Sequence, residues 1–147
     1  MGAIERLVRF EQGPLYKVAH FFLNIMGIEI PKGVKFPRGL GGVRFVHKAF
    51  GTVFHPKTEI GMRVQIYQGV TIGKARPWDK DKIESGCIVK DDAILCSGAK
   101  ILFGETKLIV GEDTIIGANS VLTQSTGDWE IWAGVPARKV GIRERKK

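Results

Sequence analysis

The sequence predicts an all-β fold of one particular kind, a parallel β-helix in which short strands and turns wind into stacked triangular coils. Three observations predict it. Large apolar residues recur every six positions (Phe54, Ile60, Ile66, Ile72), which fits neither a helix at 3.6 residues per turn nor a simple hairpin. A second set of small or β-branched residues runs in step between them (Thr58, Val64, Val70). Glycine is frequent, 19 of 147 residues, against a usual share of roughly 7%, and has no collagen-like period. Such a composition suits a chain that turns often.

The period has a physical meaning. One hexad makes a short strand and a turn, and three hexads close one triangular coil. The large residue points inward, the small one fits near the corner, and glycine or a polar residue tolerates the turn. Stacked coils bury a continuous apolar column and pair their backbones as parallel strands.

Taken in order, residues 1–27 stand apart as an N-terminal helical segment. Ile4, Leu7, Val8 and Phe10, with Glu5, Arg6 and Arg9 between them, predict a short amphipathic helix. Gly13-Pro14 ends it. Leu15 to Met26 predicts a second helix with Leu15, Val18, Ala19, Phe22, Leu23 and Met26 on its apolar side, widened by Phe21 and Ile25. Two uses are open for this segment. It packs on the domain or a neighbouring subunit, or it makes peripheral membrane contact through Arg6, Arg9 and Lys17.

The repeat runs over 28–141. Ile30 and Phe36 open it with Val34 between. Leu40 to His47 is less regular and predicts a coil with a bulge. After Ile72 the segment Lys74 to Lys82, with Pro77, three lysines and two aspartates, predicts a protruding loop. Ile83, Val89, Leu95 and Ile101 then restore the spacing, with Cys87, Ala93 and Ala99 between them. A second, shorter insertion falls within Phe103 to Leu108. Val110, Ile116 and Leu122 follow, with Thr114 and Ser120 between. Residues 142–147 read as a basic tail.

Composition narrows the function. The formal net charge is +8, which suits an anionic partner or a solvated basic surface. No basic helix interleaved with aromatics and no zinc spacing occurs, which argues against nucleic acid. Cys87 and Cys96 lack partner cysteines or nearby histidines, so no metal site is expected and both read as buried thiols. Few cysteines and no signal peptide point to a reducing cytoplasm. No apolar run reaches the roughly 18 residues that span a bilayer.

The period, together with the segment Ala133-Gly134-Val135-Pro136-Ala137-Arg138, resembles the hexapeptide-repeat acyltransferases over roughly residues 28–141. The ordered set His47, Gly51-Thr52-Val53, Ile66 to Gly73, Gly98-Ala99-Lys100-Ile101, Gly117 to Val121 and Ala133 to Arg138 looks like their serine acetyltransferase branch. That branch includes short enzymes that O-acetylate capsular or lipopolysaccharide sugars. The resemblance implies a left-handed helix, an exception to the usual right-handed crossover, and a homotrimer whose acetyl-CoA groove lies between subunits. Two departures bear on the acceptor. The family carries a large N-terminal helical domain, and here the repeat already begins at Ile28. It also places an aspartate before the catalytic histidine and a second histidine after the protruding loop. Here Val46 precedes His47, and Trp78 to Ile83 holds no histidine. Acetylation of a sugar hydroxyl is therefore expected ahead of acetylation of serine, with a non-catalytic structural module as a third reading.

An alcohol needs a base to attack a thioester, and His47 matches the family's catalytic histidine. His55, before Pro56, is the second candidate, and His20 reads as a packing residue. No Ser-His-Asp or Cys-His set is evident, so direct transfer is expected, with an oxyanion donor among the Gly69 to Gly73 amides. By the same resemblance, Ser97, Gly98, Gly117 and Ala118 line the pantetheine arm, and Arg138 and Lys139 meet phosphates. Trp132 borders the adenine or caps the core. Lys74 and Arg76 are weaker phosphate or acceptor candidates.

Overall fold

The computed structural model describes residues 16–37, 42–79 and 85–144. The first predicted helix, Leu15, Leu40 and Ile83 lie outside the described residues. Helix α1 (Tyr16–Ile25) is followed, among the described residues, by thirteen strands, most of which distribute onto three faces of a triangular coil.

The first face stacks β1 (Arg44–Phe45), β4 (Gln65–Ile66), β7 (Ile94–Leu95), β10 (Ile115–Ile116) and β12 (Glu130–Gly134), all parallel. The second stacks β2 (Val53–Phe54), β5 (Thr71–Lys74), β8 (Lys100–Phe103) and β11 (Val121–Leu122). The third stacks β3 (Thr58–Ile60), β6 (Cys87–Val89) and β9 (Leu108–Val110). Below them Glu29 bridges to Val53 and Lys35 to Glu59, so the chain before β1 supplies the first partial coil. The fold is a left-handed parallel β-helix.

The register follows from the hexads. Val53 pairs with Thr71, so three hexads close one coil. Thr71 pairs with Lys100, a much longer step along the chain, because the loop after Lys74 is inserted there. Ile94 pairs with Ile115, a slightly lengthened step that absorbs the insertion after Phe103. Arg44 pairs with Gln65 across a step lengthened by the same amount. Its extra residues form the turn that carries His47.

The inward column is the predicted one. Phe54, Ile60, Ile66, Ile72, Val89, Leu95, Ile101, Val110, Ile116 and Leu122 are all buried, and so are the small partners Thr58, Val64, Val70, Cys87, Ala93, Ala99, Thr114 and Ser120. Each fully buried Ile or Leu contributes about 1.5–3 kcal/mol, while Phe36, predicted inward in the first partial coil, is only half-buried against this core.

Two expectations need correction. The apolar face of α1 is not a single buried side. Ala19 and Leu23, one helical turn apart, are buried, whereas Val18, Phe21, Phe22 and Ile25 are 54%, 61%, 49% and 66% exposed. A helix laid on the end of a coil stack touches it along one stripe, so the opposite apolar stripe is left outward. The second correction is Cys96. It is half-buried rather than buried, because it follows the inward Leu95 and so points out at the corner.

The C-terminus adds an element that the period does not encode. β13 (Ala137–Ile142) folds back antiparallel on β12, with Val135-Pro136 at the turn. Arg143, read as part of the basic tail, instead bonds to the Asp113 carboxylate at 2.9 Å and to the main-chain oxygens of Asp113 and Asp92. It straps the hairpin to the preceding coils.

Candidate active site

The corner between the first and second faces gathers most of the predicted site. At its foot is the turn Val46–Ala49, where His47, Lys48 and Ala49 have φ of 50°, 58° and 43°. Three successive left-handed residues are unusual outside glycine. The turn holds the exposed His47 ring out beside Tyr67, with ring centroids 5.8 Å apart. Main-chain bonds continue the corner upward: Gly69 N donates to Phe50 O at 2.8 Å, Gly98 N to Gln68 O at 2.9 Å, and Asn119 N to Ser97 O at 2.9 Å.

The repeating residue of this corner is Gly51, Gly69, Gly98 and then Asn119, with φ of 73°, 70°, 72° and 54°. Glycine and asparagine are the residues that adopt this conformation at least cost. The consequence is a strip of bare backbone rising from His47. A Cβ on Gly98 would collide with Asn119 Oδ1. Ser97, Gly98, Gly117 and Ala118 all lie along this corner, two and three coils above the His47 turn.

Two further polar groups flank the strip, and the repeat pattern alone did not single them out. Lys100, on the outer side of β8, reaches down one coil and donates to Gly69 O at 2.7 Å. The Gln68 side-chain oxygen is buried and has no hydrogen-bond partner among the described residues. One signal for Lys100 was present in the sequence. It occupies an outward strand position where the neighbouring coils carry Val53, Thr71 and Val121.

His55 is not part of this corner. It sits at the other edge of the second face, edge-on to Phe103 at 4.9 Å between centroids, with Nδ1 accepting from Lys57 N at 3.2 Å. That edge carries a separate cleft of about 330 Å³, lined by Lys74, Arg76, Asp79, Ser85, Phe103 and Thr106 among others. The two predicted loop cations therefore belong to this cleft and not to the His47 strip. His20 accepts from the Asn24 side chain at 2.9 Å and lies 5.3 Å from the Tyr16 ring.

At the C-terminal end, Trp132 is buried and donates its indole N–H to Glu130 Oε2 at 2.8 Å, which favours the core-capping role. Glu130 also pairs with Lys139 at 2.7 Å. The Lys139 ammonium is the main reason that this carboxyl lies below its usual range, with help from Trp132 and Gly127. Arg138 is exposed and, among the described residues, bonds only to its neighbour's carbonyl oxygen. Of the two predicted phosphate cations, Arg138 is thus the less committed. Burial pushes the Cys87 thiol up to about 12 and raises that of Cys96.

Coil and corner together mark one class of protein, a left-handed β-helix of hexapeptide repeats with a histidine turn below a bare-backbone strip. The chain is 36% identical over 131 residues to the serine acetyltransferase of Bacillus subtilis (strain 168), covering 89% of this chain and 54% of the relative. A solved serine acetyltransferase in complex with cysteine matches with a TM-score of 0.71 at 29% identity, covering 96% of this chain and 52% of that one. Another, in complex with CoA, matches with a TM-score of 0.66 at 28% identity, covering 93% and 52%. No protein-family model matches the chain. The chain is serine acetyltransferase-like and shares the hexapeptide-repeat architecture. It spans about half the length of the curated relatives it matches.

Proposed function

We propose that this chain is an acetyl-CoA-dependent O-acetyltransferase with His47 as general base and serine as acceptor. The observation that carries the reading is the position of His47 at the foot of the Gly51-Gly69-Gly98 strip. The strip fits the pantetheine arm of CoA, because a backbone without side chains lets an amide-bearing chain lie close. Ser97, Gly98, Gly117 and Ala118 would flank that arm, and Arg138 would meet a phosphate. Lys139 would have to leave Glu130 to do so.

In the reaction His47 accepts the proton of the attacking hydroxyl and later returns it to the departing thiolate. An amide among Gly69 to Gly73 faces the developing oxyanion. No acyl-enzyme is required. Serine is placed first, ahead of the sugar hydroxyl that the motif departures favour, because the relatives are named serine acetyltransferases and one is solved with cysteine, a close analogue of serine. The sugar reading keeps one specific support. Val46, not an aspartate, precedes His47, and no histidine occurs in Trp78 to Ile83. A homotrimer would complete the groove, and the mass in solution measures that directly.

The test is release of free CoA thiol from acetyl-CoA with serine and with a panel of sugars and polysaccharide fragments. Release with serine supports the reading, and release with sugars alone replaces it by the second. No release with any acceptor overturns both. In the active system His47→Asn should lower turnover by about 10²–10⁴-fold, the usual contribution of a general base.

A further inference from the structure

We propose that Lys100 is a catalytic residue whose ammonium stabilises the oxyanion formed during acetyl transfer, a role that rests on the acetyltransferase reading above. Three observations carry it. First, Lys100 is half-buried, and among the described residues its side chain bonds only to Gly69 O, at 2.7 Å. By contrast, Lys35 is paired with Glu59, Lys90 with Asp128 and Lys139 with Glu130. An ammonium has three donors, so Lys100 keeps two for a visitor. Second, its level in the stack is specific. The side chain leaves β8 and descends to Gly69, whose own N–H bonds to Phe50 O in the turn that carries His47. Adjacent rungs are about 4.8 Å apart, so the ammonium stands about one rung above the base. The CoA phosphates lie a whole pantetheine arm from the thioester. A cation at this level meets the charge created by the reaction and not a phosphate. Third, the same rung presents the buried Gln68 side-chain oxygen, unpartnered among the described residues. Such an unmade acceptor is costly to bury, and it marks this rung as one that lacks a donor.

In the transfer step the acceptor oxygen bonds to the thioester carbonyl carbon while its proton moves to a ring nitrogen of His47. The carbonyl π pair moves onto oxygen, which is where Lys100 and a backbone amide act. The pair then re-forms the C=O bond, the C–S bond breaks, and the thiolate takes the proton from His47. An ammonium held at the carbonyl oxygen by Gly69 O favours the charged intermediate over the neutral ground state.

The experiment compares wild type, Lys100→Met and Lys100→Arg for kcat, for KM with acetyl-CoA and for CoA affinity by calorimetry, with melting temperature as a check on folding. The expected result for Lys100→Met is a kcat lower by about 10²–10³-fold, the usual contribution of one oxyanion donor, with CoA affinity within about threefold of wild type and part of the loss recovered in Lys100→Arg. A folded Lys100→Met with near wild-type kcat overturns the proposal. So does a loss of CoA affinity with kcat kept, which would make Lys100 a phosphate ligand. A fall in kcat matched by a collapse in melting temperature, with no recovery in Lys100→Arg, overturns it as a structural effect. A wild type that neither binds CoA nor consumes acetyl-CoA overturns the acetyltransferase reading itself and this proposal with it.

Discussion

Among single residues, the two cysteines show how one position in a hexad changes chemistry. Cys87 occupies a small inward position and is shut off from solvent, while Cys96 follows an inward residue and reaches the corner. Thiol labelling at pH 8 should therefore be slow at Cys96, whose ionisation burial disfavours, and absent at Cys87 until the protein unfolds. Saturating acetyl-CoA should slow Cys96 further if the arm lies along its corner beside Ser97. Unchanged Cys96 labelling in the presence of bound CoA, read by mass spectrometry, would remove the arm from that corner. Both positions were visible in the period, but the outward turn of Cys96 was not, because a one-residue step reverses the direction of a strand side chain.

Among the elements, the corner strip links local conformation to the proposed CoA groove. Gly98 has φ 72° and faces the side chain of Asn119. Gly98→Ala should cost about 1–2 kcal/mol in stability from the left-handed backbone alone, measured by urea unfolding, and should also weaken CoA binding by closing the strip. If calorimetry gives wild-type CoA affinity in that variant, the strip does not hold the arm. Helix α1 shows the opposite relation between sequence and element. Its apolar residues were readable, but which stripe would meet the coils depended on how the helix lies across them. His55 is a similar case. Its sequence spacing from His47 is short, yet a whole strand face separates the two in the coil.

Across the whole molecule, the coils are also tied by carboxylates along the corner between the third and first faces. Arg63 is hydrogen-bonded to Asp92 and holds it below its ordinary value of 3.8. Asp128 is lowered chiefly by the Glu112 N–H and then by Lys90, and Glu130, within the β12–β13 hairpin, chiefly by Lys139. Each folded pKa is depressed, so each contribution is present above the unfolded pKa and is lost as pH falls through the folded one. The melting temperature should be nearly level above about pH 5 and should fall as pH drops below the ordinary carboxylate values near 4. Because these groups are largely at the surface, added salt should flatten the profile. A melting temperature that holds level from neutral pH far into the acid range, below the ordinary carboxylate values, would contradict this account.

Six-residue spacing alone dictates the coil, since it leaves few ways to bury Phe54, Ile60, Ile66 and Ile72 on one side. It also dictates where the insertions fall, because each one breaks the period, and resemblance marks His47. Folding settles what stands beside what. Residues on different coils, such as Gly51, Gly69, Gly98 and Asn119, become neighbours only when the coils stack, and Lys100 reaches the rung above His47 only through that stacking. A repeat encodes which way each side chain points. Contacts between coils depend on the lengths of the insertions, and those set the register only once the chain has closed on itself.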